Sequence, residues 1–138
     1  MRTYEDCILF NLGKAYQRVQ AEFKARFLQK FGLTHMQLLV LEALYDEEGL
    51  SAGEIAGRLV LDNATLSGVL ERLAEGGWIT KDTEHGDRRT LKIHLTEKAR
   101  GIKEPILDEV TKANKEIMGQ FRVEEDVLLR RLLRDLRK

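Results

Sequence analysis

The residues from Leu61 to Leu73, LDNATLSGVLERL, decide the fold of this chain. Their apolar residues recur at steps of three and four, which predicts a short helix with one buried face: Leu66, Val69, Leu70 and Leu73. The other faces carry the polar side chains of Asn63, Thr65, Ser67 and Arg72. We therefore expect a helix that is fixed to a core on one side and presents short hydrogen-bonding groups on the other.

The segment before this helix predicts a second, shorter helix. Ser51 and Glu54 have the spacing of a capping box, and Asp62 is a good N-cap for the helix that follows. Gly76 and Gly77 then end that helix, because glycine accepts the left-handed conformation of a C-terminal cap. Two short helices joined by a tight turn form a helix-turn-helix, whose second helix enters the major groove of DNA by its N-terminal end.

A β-hairpin is predicted directly after the two helices. Trp78–Lys81 is rich in β-forming residues, and Leu91–Leu95 alternates apolar and polar side chains. In the second run we expect Leu91, Ile93 and Leu95 to point inward and Lys92 and His94 to point outward. The polar stretch Asp82–Arg89 between them contains Gly86 and ends in two arginines. The pattern favours a hairpin with a basic tip, which is the wing of a winged helix-turn-helix.

The wing sequence also resembles a known family. It matches the D-x-R-x-x-x-x-x-L-T signature of the MarR family of bacterial transcription regulators, in which Asp87 and Arg89 form the start and Leu95-Thr96 the end. The resemblance extends over the whole chain. It implies a mainly α fold with a small β-wing, in which a winged helix-turn-helix is flanked by N- and C-terminal dimerisation helices. It also implies a homodimer that binds double-stranded DNA at a pseudo-palindromic operator, as a repressor.

The chain is expected to form one protomer over residues 1–138, with the DNA-binding part at 32–96 and dimerisation helices at 1–31 and 97–138. Glu5–Phe31 reads as one long helix with a broad apolar stripe, and Thr34 opens a central core helix with a capping box. Thr96 caps a helix to about Gly119 that Pro105 kinks or splits, and a last helix covers about Glu124–Arg137. Isolated helices of this kind need a partner, which favours a symmetric dimer.

The predicted DNA contacts are Asn63, Thr65, Ser67, Arg72, Arg88 and Arg89. Arg72 is expected on phosphate, while the resemblance makes Arg88 the minor-groove contact and pairs Asp87 with Arg89 to shape the wing. Polar residues at a helix start also serve as caps, and charged hairpin tips are commonly just solvated, so both structural alternatives stay open. Gly68 stands where the family often has a long polar residue, which shifts the expected readout towards DNA shape.

A ligand or sensor site is the least specific expectation. Its candidate residues are Cys7, Lys14, Tyr16, Arg18 and His35, with Phe10 beside them. The resemblance implies either an aromatic carboxylate effector held between the dimer helices and the winged unit, or peroxide sensing through Cys7. The alternatives are solvated bases on a helix surface and an ordinary buried cysteine.

Composition restricts the remaining possibilities. The formal net charge is zero, which supports an alternative in which the winged fold binds a protein rather than DNA, although positive charges concentrate between Gly86 and Lys103. One cysteine and a polar N-terminus without an apolar signal core indicate a cytoplasmic protein without a membrane span. No metal-ligand spacing, phosphate-binding glycine loop or nucleophile-base motif is present, so we expect neither a metal, a cofactor nor an enzyme.

Overall fold

The computed structural model describes residues 2–59, 61–83 and 91–138. A short 3-10 helix, Thr3–Asp6, is followed by the elements α1 (Ile8–Phe31), α2 (His35–Asp46), β1 (Leu50–Ser51), α3 (Ala52–Arg58), α4 (Asn63–Glu75), β2 (Ile79–Thr83), β3 (Leu91–Leu95), α5 (Glu97–Gly101), α6 (Lys103–Met118) and α7 (Val123–Asp135). Residues 1–104 form one compact unit and residues 105–138 another. Within those described ranges, no helix is long and apolar enough to cross a membrane.

The N-terminal helix begins later than the sequence predicts. The expected single helix from Glu5 is wrong at its start, because Cys7 is extended and separates the 3-10 helix from α1. The side chain of Asn11 donates to the carbonyl oxygens of Glu5 and Cys7, at 2.9 and 3.2 Å, and so stabilises this break. At its other end α1 stops at Gly32, whose φ of 68° requires a residue that adopts the left-handed region readily.

The core of the first unit lies around α2. The predicted capping box is confirmed: Gln37 N–H donates to Thr34 Oγ1 at 3.1 Å, and the Thr34 N–H donates to the Gln37 side chain at 2.8 Å. The largest fully buried apolar side chains of this unit are Phe27, Leu33, Leu38, Leu41, Leu44, Leu50, Ile55, Leu66, Leu73 and Ile93. Apart from Leu33, which lies between α1 and α2, they come from every helix and strand from α1 to β3 except β2. Burial therefore fixes the helix-turn-helix on α2.

A three-stranded antiparallel sheet in the order β1-β3-β2 adjoins the helices. Ile79 pairs with Leu95 and Thr83 with Leu91, and Ile93 and Leu95 are buried as the alternation predicts. The third strand, β1, is a finding that the sequence did not predict: its residues Leu50 and Ser51 pair with Ile93 and Lys92. Two residues are too short to show the period of a strand.

The C-terminal helices follow the predicted pattern closely. Thr96 accepts the Ala99 N–H and caps α5, and Ile102 separates α5 from α6. Pro105 is the third residue of α6, a first-turn position where the missing N–H costs little. The expected splitting of this helix near Pro105 is thereby confirmed. At α7 the backbone N–H of Arg122 donates to Glu125 at 2.9 Å, so the carboxylate holds the start of the helix.

Candidate nucleic-acid interface

The N-terminal end of α4 is fixed by its cap. Asp62 accepts the backbone N–H of Thr65 at 2.7 Å and the hydroxyl of Thr65 at 3.0 Å. These hydrogen bonds hold the pKa of the Asp62 carboxyl below its usual range. Thr65 is therefore engaged in the cap, which is the structural alternative that the sequence left open, although its side chain is exposed.

Other predicted contact residues lie on the exposed surface of α4. Asn63 is its first residue, and Asn63, Ser67 and Arg72 are exposed. A Cβ added at Gly68 would lie 4.0 Å from Nη1 of Arg72, so the guanidinium lies back across the glycine by one helical turn. Because Gly68 has no side chain, no long polar group projects from this position, and the guanidinium of Arg72 lies beside it.

The opposite face of α4 is buried, as predicted. Its buried side chains are Leu66, Val69, Leu70 and Leu73, each at most 4 % exposed. This face packs against α2, α3 and β2. Because its apolar stripe is fixed from three sides, α4 has one orientation in which its polar residues face outward.

The end of α4 is bound to the short helix α5. Gly77 has a φ of 78°, and the Trp78 N–H donates to the carbonyl of Leu73 at 2.9 Å. Lys98 on α5 donates to the carbonyl oxygen of Gly76 at 2.8 Å and lies 4.3 Å from the centre of the Trp78 ring. A cation at a helix C-terminus is favourable, so this contact stabilises the point where α4 passes into the sheet.

The predicted wing residues Asp87, Arg88 and Arg89 lie outside the described residues, as does His85. The two strands that flank them are described: β2 and β3 pair in register from Ile79↔Leu95 to Thr83↔Leu91. The roles predicted for Arg88 in the minor groove and for Asp87 and Arg89 in shaping the wing therefore stay predictions.

A polar cluster at the end of α2 was missed by the sequence reasoning. Oε1 of Glu48 accepts the Leu95 N–H at 2.8 Å and Nη2 of Arg100 at 2.7 Å. The Tyr45 hydroxyl donates to the carbonyl oxygen of Ala99 at 2.6 Å, and burial raises the pKa of Tyr45 to about 12. The acidic run Asp46–Glu48 predicted only a helix end, because contacts across about fifty residues have no local sequence signal.

The candidate ligand residues do not all lie together. Lys14 lies 5.8 Å from the ring centre of Phe10, and Cys7, Lys14, Tyr16 and Arg18 are exposed on or beside α1. His35 instead starts α2, and its pKa is lowered by burial and then by the charge of Lys24. Its Nδ1 is buried without a hydrogen-bond partner among the described residues. Over the same described ranges, no three His, Cys, Asp or Glu side chains form a group that would hold a metal ion.

A separate open groove of about 290 Å³ lies between α6 and α7 in the second unit. Asp126 and Arg130, which line it, form an ion pair at 2.5 Å. It is lined by none of the residues that the sequence proposed for a ligand.

Comparisons with known proteins fit this geometry. The sequence model of the MarR family matches residues 33–91, from just before α2 to the first residue of β3. The transcriptional regulator MgrA of Staphylococcus aureus is 30% identical over 128 residues, which cover 91% of this chain and 84% of MgrA. The chain belongs to the MarR family. Members of this family are transcription regulators, not enzymes.

Two further relatives extend the comparison. The regulator TtmR of Methylorubrum extorquens is 41% identical over 91 residues, but the match spans only 43% of TtmR's length and 66% of this chain. A solved structure of Bordetella bronchiseptica BpsR, described as regulated in its DNA binding by 6-hydroxynicotinic acid, is 27% identical. It has a TM-score of 0.89 and covers 100% of this chain and 98% of BpsR. This MarR-family chain therefore shares its fold class with the winged-helix structures of the family.

Proposed function

We propose that this MarR-family protein is a transcription repressor that binds operator DNA as a homodimer through α4. The observation that carries the proposal is the capped, exposed N-terminal end of α4 on a helix whose other face is fixed in the core. We expect the exposed side chains of Ser67 and Asn63 to contact bases or phosphates, and Arg72 to contact a phosphate. Action on chromosomal DNA would place the protein in the cytoplasm, as the sequence predicts.

The two terminal helices support the dimer. No residue of α7 is buried, and this helix exposes Val127 by 62 % and Leu132 by 45 %, while its C-cap residue Leu136 is exposed by 61 %. In α1, Ile8 and Leu9 are exposed by 62 and 78 %. Apolar side chains in such numbers favour burial against a second copy. Two copies would place two α4 helices on half-sites separated by about 10 bp, which implies a near-palindromic operator.

We further propose a small aromatic carboxylate as the effector. The family neighbour BpsR is described as responding to 6-hydroxynicotinic acid, an aromatic acid of this class. In this chain Lys14 and Arg18, both exposed and one helical turn apart on α1, are the cations that would hold the carboxylate of such an effector. Release of DNA requires only that the ligand favours the non-binding dimer geometry by a few kcal/mol.

A peroxide-sensing variant of this proposal uses Cys7 instead. The exposure of Cys7 makes its sulfur accessible to an oxidant. Cys7→Ser should then abolish release of DNA by hydroperoxide without changing the response to aromatic acids. Release that persists in the variant would exclude the sensor.

Footprinting on the DNA beside the gene that encodes this protein, with and without aromatic acids, tests the proposal. We expect protection of two half-sites that is lost when the effector is added. Arg88→Ala should weaken binding to all sequences and lower the salt dependence by about one phosphate contact. An absent or salt-insensitive complex would instead favour the alternative, a winged module that binds a protein.

A further inference from the structure

Glu48 joins two elements of the winged unit that are distant in sequence. It lies between α2 and β1, one residue before Gly49, whose backbone N–H donates to the carbonyl oxygen of Ile93 at 2.9 Å and so extends the pairing of β1 with β3. The next donor on this side of β3 is the N–H of Leu95, which donates to Glu48 Oε1 at 2.8 Å. The carboxylate therefore takes the place of a strand carbonyl and continues the edge of the sheet by one more hydrogen bond.

The same carboxylate holds α5. Nη2 of Arg100 donates to Oε1 of Glu48 at 2.7 Å, and Nε of Arg100 donates to Oε2 at 3.3 Å. The two contacts form a forked arginine–carboxylate pair, which is more directional than a single ion contact. His94 on β3 adds a third charged group when protonated, with Nδ1 at 4.0 Å from Oε1. The Arg100 hydrogen bonds are the main reason that the pKa of Glu48 is held below its usual range.

The helix that Glu48 holds is also the one that binds the end of α4. Lys98 on α5 donates to Gly76 O, and Thr96, the cap of α5, donates to Gly77 O at 2.6 Å. Thus α5 is bound through Lys98 and Thr96 to the C-terminal end of α4, and through Arg100 to Glu48. Glu48 connects β3 to the same short helix.

We propose that Glu48 is a positioning residue for DNA binding: by holding Leu95 and Arg100 together, it fixes β3 and α5, and α5 in turn holds the end of α4. The inference rests on the proposed function, because it assumes that α4 binds the duplex. Glu48 itself makes no favourable phosphate contact, since a carboxylate repels a phosphate.

Because of this repulsion, the direction in which Glu48→Gln changes the affinity for DNA distinguishes the two possible roles of Glu48. If Glu48 acted only through its charge, Glu48→Gln would strengthen binding to the polyanionic duplex. If it positions β3 and α5, the same change must weaken binding, because the neutral glutamine is a weaker acceptor for Leu95 and loses the forked pair with Arg100. We expect an equilibrium dissociation constant about 3- to 10-fold higher, the range typical of changes along a coupling network.

Glu47→Gln is the matched control. Glu47 is the adjacent acid and pairs with Arg58 on α3 at 2.7 Å, not with β3 or α5. Its removal takes the same charge from the same loop, so the dissociation constant should stay unchanged or fall. A double-mutant cycle adds a second criterion: Glu48→Gln with Arg100→Gln should bind no worse than the weaker single variant, because the two residues act as one unit.

A measurement without DNA separates this inference from the proposed function. Amide hydrogen exchange of the free protein should be faster at Leu95 and along α5 in Glu48→Gln than in Glu47→Gln, with α4 unchanged. Unchanged exchange at Leu95, or a Glu48→Gln variant that binds DNA as tightly as Glu47→Gln, would overturn the positioning role. Failure of the unmodified protein to bind any duplex, with faster exchange in Glu48→Gln, would overturn the proposed function and keep the anchoring of β3.

Discussion

At the scale of single residues, Glu42 on α2 has a strongly raised pKa. Burial, followed by the charge of Asp46, raises this pKa to about 7. The spacing of the two acids, one helical turn apart, is visible in the sequence, and so is the apolar character of α2 on several sides. The burial of Glu42 is not visible there, because it depends on how α2 packs within the folded unit.

Glu42→Gln should therefore stabilise the protein in a pH-dependent way. The folded pKa lies above the ordinary value of 4.5, so the folded state binds the proton more tightly, and stability falls as the pH rises from about 4.5 to 7. Glutamine does not ionise, so the gain should be absent near pH 4 and reach about 1–3 kcal/mol at pH 8. Urea unfolding at both pH values measures it.

The exposed Glu71 on α4 provides the control for this prediction. Glu71→Gln should change the free energy of unfolding by a similar, small amount at both pH values. A stability gain in Glu42→Gln that is equal at both pH values would contradict the assigned cause.

At the scale of elements, the start of α4 depends on Asp62. Asp62→Ala removes the acceptor of the Thr65 N–H and should lower the free energy of unfolding. Asp62→Ser keeps an acceptor at the cap and should recover most of this loss. Equal losses in the two variants, measured by urea unfolding, would show that the cap is not the source of stability.

Elements with a local sequence signal were predicted well. The caps Thr34, Ser51, Asp62 and Thr96 all accept the hydrogen bonds that their spacing indicates. What the sequence did not predict depends on distant partners: the pairing of β1 with β3, and the cluster of Glu48 with Leu95 and Arg100. The start of α1 was missed because the side chain of Asn11 competes with the helix for the carbonyls before it.

At the scale of the whole molecule, the exposed apolar side chains of α7 predict the effect of a surface change. Leu132→Asn should raise the dissociation constant of the dimer by about a hundredfold, since a symmetric interface loses the burial of two leucines. Arg134→Asn, on the same helix, should change it little. Sedimentation velocity at several protein concentrations distinguishes them, and a dimer equally stable in both variants would place the interface elsewhere.

The most direct test of the account is the salt dependence of binding to a duplex from beside the gene, followed by fluorescence anisotropy at several salt concentrations. We expect two chains per duplex and an association constant whose logarithm falls linearly with the logarithm of the salt concentration, with a slope of about −0.9 for each phosphate contact. Binding by a single chain, or an association constant independent of salt, would contradict it.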